Sequence, residues 1–179
     1  GTLPSNKGAN LVEATMIPIS GLHKTLSSER RLDIRIEGID VANFALNDRR
    51  QKLTQGRLTI QREPIGQGLT IPVIDPKFRR QTKSRPLVQS DHPKIKAKSM
   101  SIIDGATDTV TASRRIFDWI GHNMEQKPVA GIPSALESLD TLIGDCNEHS
   151  TLFAALARAC GIPTRIVIGL VYKNNRFGY

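Results

Sequence analysis

A cysteine stands near the end of the chain in the stretch "GDCNEHSTLFAALARACGIPTRIVIGLVY", residues 144–172, where a helix is expected to begin. Asp145 is a natural N-cap, and Glu148 lies at the return position of a capping box, so Cys146 is predicted at the first helical position. Backbone N–H groups and the helix dipole stabilise a thiolate there and can also receive an oxyanion. The negative charges of Asp145 and Glu148 have the opposite effect and disfavour ionisation of the Cys146 thiol. Position alone therefore does not decide whether Cys146 is a nucleophile or a structural cysteine.

His149 is the histidine nearest to this cysteine in the sequence. Residues three apart share one helical face, so contact with Cys146 is possible. A general base must also be oriented by a third group and must face the substrate, and a neighbour on the same turn is poorly placed for both. Packing or hydrogen bonding is the favoured role for His149, with catalysis as the alternative. Asp145, Glu148 and His149 are predicted to shape the site around Cys146.

The second cysteine, Cys160, is predicted to be a buried structural thiol at the end of the same helix. Two cysteines 14 residues apart on one helix are ~21 Å apart, whereas a disulfide needs Cα atoms within ~7 Å, so both are predicted to be free. His23, His92 and His122 have no second ligand at metal spacing. The chain also has no glycine-rich phosphate loop, so we expect no metal and no cofactor.

The half of the chain from Asp91 onward is predicted to be helical. Asp91 is the expected N-cap of the first helix, "DTVTASRRIFDWIGHNM" has the apolar stripe of a second, and Ser134 with Glu137 forms the capping box of a third. The fourth begins at Cys146 and is expected to end at Gly161. "TRIVIGLVYK" is predicted to be a buried strand, "NN" a turn and "RFGY" the start of a returning strand.

The first 90 residues are predicted to be β-rich. Short segments rich in β-branched residues are separated by Gly, Pro, Asn and Asp: "LVEATMIPI", "RRLDIRIEG", "GRLTIQRE", "GLTIPVI" and "PLVQ". In the second of them apolar and polar residues alternate, as in a strand with one buried face. A small sandwich or open barrel is the expected shape, ending in a basic linker.

The stretch 144–172 resembles the nucleophile segment of the transglutaminase-like superfamily, papain-like cysteine proteins that include animal transglutaminases and many bacterial hydrolases. The matching features are a Gly-x-Cys turn, a helix rich in Ala and Leu, and a Gly-Ile-Pro-x-Arg run before a strand. "SALESLDTLI" and "ASRRIFDWIGHNM" are similar to the helices that precede that nucleophile, and "RLDIRIEGIDVANFAL" is similar to the leading region of exported bacterial members. The resemblance implies that Cys146 is the acyl-accepting nucleophile.

The fold implied by this resemblance is α+β, with a β-rich N-terminal domain at residues 1–90 and a partial transglutaminase-like domain with an incomplete sheet at residues 91–179. The family's catalytic histidine follows a short hairpin, and its aspartate lies on the next strand. The hairpin "KNNRFGY" ends at Tyr179, so the catalytic His and Asp are expected to be absent from this chain. We therefore expect a truncated, inactive fragment of a bacterial cysteine hydrolase that cleaves peptide or isopeptide bonds through a thioester. The alternative is a binding module that keeps the fold without the triad.

Composition limits the partners. The formal charge of +8 is concentrated in "KFRRQTKSRP" and "KIKAKS", which is either a polyanion-binding patch or, as favoured here, a solvated basic surface. Aromatic residues make up 4%, which argues against a base-stacking nucleic-acid binder. No apolar run approaches the ~20 residues of a membrane span. The expected partners are a peptide or protein substrate and further copies of the chain, which would pair at an unpaired strand edge. The resemblance suggests the periplasm or cell envelope, although the sequence leaves the compartment unknown.

Overall fold

The structure is a computed structural model that describes residues 17–18, 26, 29–38, 40–41, 43–129, 131, 133–173 and 176–178. The chain divides into two compact units. The first contains Gly1–Gly66 and Ile168–Tyr179, and the second contains Gln67–Val167. No helix in the described ranges is long and apolar enough to span a bilayer.

Eight short strands and four α-helices, with one 3₁₀ helix, make up the described structure. In chain order they are β1 (Ile17–Pro18), β2 (Arg31–Arg35), β3 (Gln51–Thr54), β4 (Arg57–Gln61), the 3₁₀ helix (Pro76–Phe78), α1 (Pro93–Ile103), α2 (Thr109–Asn123), β5 (Glu125–Gln126), α3 (Ala135–Thr141), β6 (Ile143–Gly144), α4 (Cys146–Ala159), β7 (Val171–Lys173) and β8 (Arg176–Gly178). The α+β class is therefore confirmed.

The first unit contains two antiparallel three-stranded sheets, with strand orders β2-β4-β3 and β1-β8-β7. Alternation along β2 predicted that strand correctly, and β4 is also confirmed. Strand β3 was missed. It joins β4 through Gln55 and Gly56, whose φ angles of 49° and 73° fit the tight turn that matches strand twist. A sandwich or open barrel was expected for this region. The structure instead has a three-stranded sheet over residues 31–61.

Two of the predicted β segments are not strands. Within "GLTIPVI" the only pairing is a single bridge from Thr70 to Asp108, and within "PLVQ" it is a bridge from Arg85 to Val88. "LVEATMIPI" lies largely outside the described residues, and so does the Asn174–Asn175 turn. β-Branched composition was not enough to form strands here, because a strand also needs a partner ladder.

The four helices of the second unit enclose the hydrophobic core. Its most deeply buried side chains include Ile95, Ile116, Leu152 and Leu156. They lie in the apolar stripes that the sequence predicted for the helices. The capping box of Ser134 and Glu137 at α3 is confirmed. The predicted N-cap of α1 is wrong by one residue. His92 Nδ1 accepts from the Lys94 N–H at 3.2 Å, because the Asp91 carboxylate instead accepts from the Ser84 hydroxyl at 2.5 Å.

Residues 67–90 pack along this helical unit. The Ile71 N–H donates to Thr107 O and the Val73 N–H to Gly161 O, both at 3.0 Å. The structure thus divides the chain at points other than the predicted boundary between residues 90 and 91. Folding of residues 1–90 and 91–179 as separate domains stays a prediction.

The predicted strand "TRIVIGLVYK" is formed only at its end, by β7. Val167 and Ile168 are 74% and 73% exposed, so the prediction of a buried strand is wrong for this part of the segment. The returning strand is confirmed as β8, which pairs with β7. Among the described residues, strand pairing of this segment covers only Val171–Lys173, which lie opposite β8.

Candidate active site

Cys146 is the first residue of α4, as the sequence predicted. The turn before it is held by a short parallel pair, in which Glu125 lies opposite Ile143 and Gln126 opposite Gly144. This pair joins the end of α2 to the start of α4. The first turn of α4 is therefore fixed by backbone pairing to its neighbour as well as by its own cap.

The cap of α4 is a complete capping box, as predicted. The Asn147 N–H donates to the Asp145 carboxylate at 2.9 Å, and the Asp145 N–H donates to the Glu148 carboxylate at 2.7 Å. These bonds satisfy backbone donors that a helix start would otherwise leave unpaired. The side chains of Asp145 and Glu148 thus hold the turn that carries Cys146.

Glu148 is buried beneath this turn, with 1% of its surface exposed. A Cβ placed on Gly144 would lie 2.2 Å from the Glu148 Cβ, far closer than two non-bonded carbon atoms approach each other. Only glycine therefore fits at position 144. Gly144 was not among the predicted site residues, although its place directly before the N-cap was a signal that could have identified it.

His149 turns toward the backbone of its own helix. Its Nδ1 lies 2.6 Å from the carbonyl oxygen of Asp145. A carbonyl can only accept, so Nδ1 carries the proton in this arrangement and the ring is oriented by the helix start. No hydrogen bond joins His149 to Cys146 in the part of the chain that the structure describes. This geometry agrees with the hydrogen-bonding role, and the catalytic alternative stays a prediction.

The pKa of the Cys146 thiol is raised above its ordinary value. Partial burial of the sulfur is the largest cause, followed by the negative charge of Asp145, and the charge of Glu148 adds to both. The backbone N–H of Cys146 acts in the opposite direction and is outweighed. The residue itself is exposed. The thiol is thus accessible but protonated at neutral pH unless another group removes its proton.

A pH series should show this directly. We expect iodoacetamide to alkylate Cys146 more slowly at neutral pH than an unstructured peptide thiol, with a midpoint at higher pH. Asp145→Asn removes the neighbouring charge and keeps a good N-cap, so it should lower the pKa and speed alkylation several-fold at neutral pH. Mass spectrometry of the alkylated protein measures both rates. Equal rates for the variant and the parent chain would contradict the assignment of Asp145 as a cause.

Cys160 is the internal control for that experiment. It caps the C-terminal end of α4, is buried, and its S–H donates to Ala157 O at 3.2 Å. Burial also raises the pKa of this thiol. The prediction of two free cysteines, with Cys160 in a structural position, is confirmed.

Across the described ranges, no group of three or more His, Cys, Asp or Glu side chains lies close enough together to hold a metal ion. His92 caps α1, and His122 Nδ1 lies 2.5 Å from the Asp118 carbonyl oxygen. His23 lies outside the described residues.

Comparison with known proteins gives one family and one solved structure. Residues 96–178 match the family model of the transglutaminase-like superfamily. The search of curated proteins found no match. Among solved structures the chain is similar to a protein named "Putative Cysteine Protease from Cytophaga hutchinsonii", with 24% identity and a TM-score of 0.46. The similarity covers 50% of this chain and 31% of that one. The part of the chain that is similar to the transglutaminase-like superfamily, residues 96–178, thus runs from within α1 to the last strand and includes Cys146.

Proposed function

We propose that this chain supplies the nucleophile segment of a cysteine enzyme of the transglutaminase-like type. The observation that carries the proposal is an exposed cysteine at the first position of α4, inside the family match. Its sulfur would attack the carbonyl carbon of an amide, the amine would leave with a proton, and a thioester would remain on Cys146. The backbone N–H of Cys146, which the capping box does not use, is suited to stabilise the oxyanion of the tetrahedral intermediate.

The proposed substrate is a peptide or protein, cleaved at a peptide or isopeptide bond or at a glutamine-type amide. Water would then resolve the thioester, and we propose hydrolysis in preference to transfer to an amine. A bacterial source and a place in the periplasm or cell envelope complete the proposal. Hydrolysis and a bacterial source are supported by the resemblance of the segment around Cys146 to bacterial members, and export is supported by the similarity of "RLDIRIEGIDVANFAL" to the leading region of exported ones.

We propose further that this 179-residue chain is inactive by itself. The raised pKa of Cys146 calls for a base, and His149 is bound to the Asp145 carbonyl in place of the thiol. Asp145, Glu148 and His149 would hold the cysteine in position without exchanging its proton.

Acylation of the chain tests the role of the cysteine separately from turnover. An N-acetylated peptide p-nitrophenyl ester should transfer its acyl group to Cys146 at alkaline pH, with a mass increase that Cys146→Ala abolishes and Cys160→Ala leaves unchanged. The thioester should persist, because His149 is held at the Asp145 carbonyl and is not placed to activate water. Rapid turnover that disappears with Cys146→Ala would contradict inactivity. Acylation unaffected by Cys146→Ala would contradict the nucleophile.

The alternative is a binding module that keeps the fold without the chemistry, and the same geometry of His149 favours it over catalysis by this chain alone. Self-association belongs to this proposal. Val167, Ile168, Leu170 and Val171 are 56% to 74% exposed, and β7 is an edge strand of its described sheet. We expect gel filtration to show larger species as the concentration rises. A monomer at every concentration would contradict self-association.

A further inference from the structure

Most of the net positive charge of the protein lies in one short region of the second unit. Residues 77–98 contain eight lysines and arginines and a single acidic residue, Asp91, in a chain whose net charge is +8. Residues 76–90 contain no acidic residue at all. The charge is therefore segregated along the chain.

Four exposed side chains in this region have no acidic partner. Arg79, Arg80, Lys83 and Arg85, named here the basic surface, are exposed and form no ion pair with any carboxylate in the portion of the chain that the structure describes. Neighbouring lysines differ, since Lys77 pairs with Asp75 at 2.8 Å and Lys94 pairs with Asp140. The basic surface is thus left open to an external anion.

The loop that carries these charges is held in place by Arg158. Its guanidinium donates to Lys83 O at 2.9 Å and to Thr164 O at 3.1 and 2.8 Å. Burial lowers the pKa of Arg158, and the charge of Arg85 lowers it further, so Arg85 is kept beside another cation. A fixed loop that keeps like charges together is suited to an extended anion.

The basic surface lies away from the proposed nucleophile. Arg158 follows Cys146 by 12 residues on α4, which is ~18 Å at 1.5 Å per residue. A partner bound there would lie at the opposite end of the helix from the thiol. The basic surface is therefore a separate candidate site.

The residues around the basic surface favour a lipid surface over nucleic acid. Ile74, just before the loop, is 90% exposed, and Leu87, just after it, is 44% exposed. Apolar side chains beside clustered cations can enter the interface of an anionic bilayer. The one aromatic residue in the loop, Phe78, is half-buried, with the Lys77 ammonium 4.8 Å from its ring centroid. The Lys77 ammonium thus covers one face of this ring, which makes it a poor platform for base stacking.

We propose that the basic surface docks the protein on an anionic lipid bilayer, with Arg79, Arg80, Lys83 and Arg85 contacting the lipid phosphates and Ile74 entering the interface. This site is independent of the function proposed for Cys146.

Vesicle sedimentation tests the proposal with the full chain. Vesicles of phosphatidylcholine with phosphatidylglycerol should bind the protein at low salt, and vesicles of phosphatidylcholine alone should not. Replacing all four residues of the basic surface with glutamine should weaken binding by about tenfold or more, because each cation near the bilayer adds to the attraction. Ile74→Ser should weaken it by about two- to fivefold with no change in charge.

The matched control replaces four exposed cations of the first unit, Arg35, Arg49, Lys52 and Arg57, with glutamine. It removes the same total charge and should keep the binding of the parent chain. Circular dichroism checks that every variant is folded. Equal losses in the two quadruple variants would overturn the proposal in favour of unspecific charge attraction. Absence of vesicle binding would also overturn it, and binding of single-stranded DNA in its place would assign the basic surface to nucleic acid.

Discussion

Gly161→Ala is expected to lower the free energy of unfolding of the helical unit by about 2–4 kcal/mol. Gly161 ends α4 with a φ of +83°, which an alanine adopts only with strain. An added Cβ would also lie 2.4 Å from the Pro72 Cβ and 2.7 Å from its Cα. The second of these atoms is backbone and cannot rotate away. Urea unfolding, followed by the fluorescence of the single tryptophan, Trp119, measures the loss.

Gly105→Ala is the matched control for this variant. Its φ of +74° carries the same conformational strain, but nothing lies within 4 Å of the added Cβ. We expect a loss of about 1 kcal/mol from the backbone alone. The difference between the two variants isolates the contact with Pro72. Equal losses would show that residues 67–74 move aside freely, against the close packing that the structure shows.

Glu148→Ala is expected to cost about 2–3 kcal/mol, because it removes a charged hydrogen-bond acceptor from a buried position. The Asp145 N–H would lose its partner, and space would open beneath Gly144. Since the charge of Glu148 also raises the pKa of Cys146, the variant should alkylate faster at neutral pH wherever it remains folded. Urea unfolding and alkylation measured on one sample record both effects.

Glu148→Gln separates the charge from the hydrogen bond. A glutamine keeps an acceptor for the Asp145 N–H, so the loss of stability should be about 1 kcal/mol or less. The alkylation rate should still rise, because the charge is gone. An unfolding midpoint for Glu148→Ala that matches the parent chain would refute the capping role. An unchanged alkylation rate in Glu148→Gln would refute the electrostatic one.

The helix starts could be predicted from the sequence because their determinants are local. Ser134 with Glu137 and Asp145 with Glu148 form their bonds within four residues, and such bonds require only the right residue types at the right spacing. The same holds for the alternation that identified β2 and for Gly161 at the end of α4. Position 146 as the first residue of a helix was therefore determined by the sequence.

Local sequence patterns predicted the wrong structure where groups distant in the sequence compete for the same partner. Asp91 was predicted to cap α1, but Ser84 holds its carboxylate and His92 takes over the cap. "GLTIPVI" has the composition of a strand, yet it lies along the helices through separate bonds to Thr107 and Gly161. These outcomes depend on which partners the folded chain supplies, and local propensity contains no such information.

The candidate site shows the same division. The sequence alone determined that a cysteine stands at a helix start between two carboxylates, with a histidine three residues after it. The tertiary structure decided in which direction the pKa of Cys146 shifts, because the shift depends on whether burial and carboxylate charge outweigh a backbone donor. The orientation of His149 toward the Asp145 carbonyl was decided there as well. Burial and orientation are properties of the packed structure, since they depend on residues distant in sequence that surround these groups only in the folded chain.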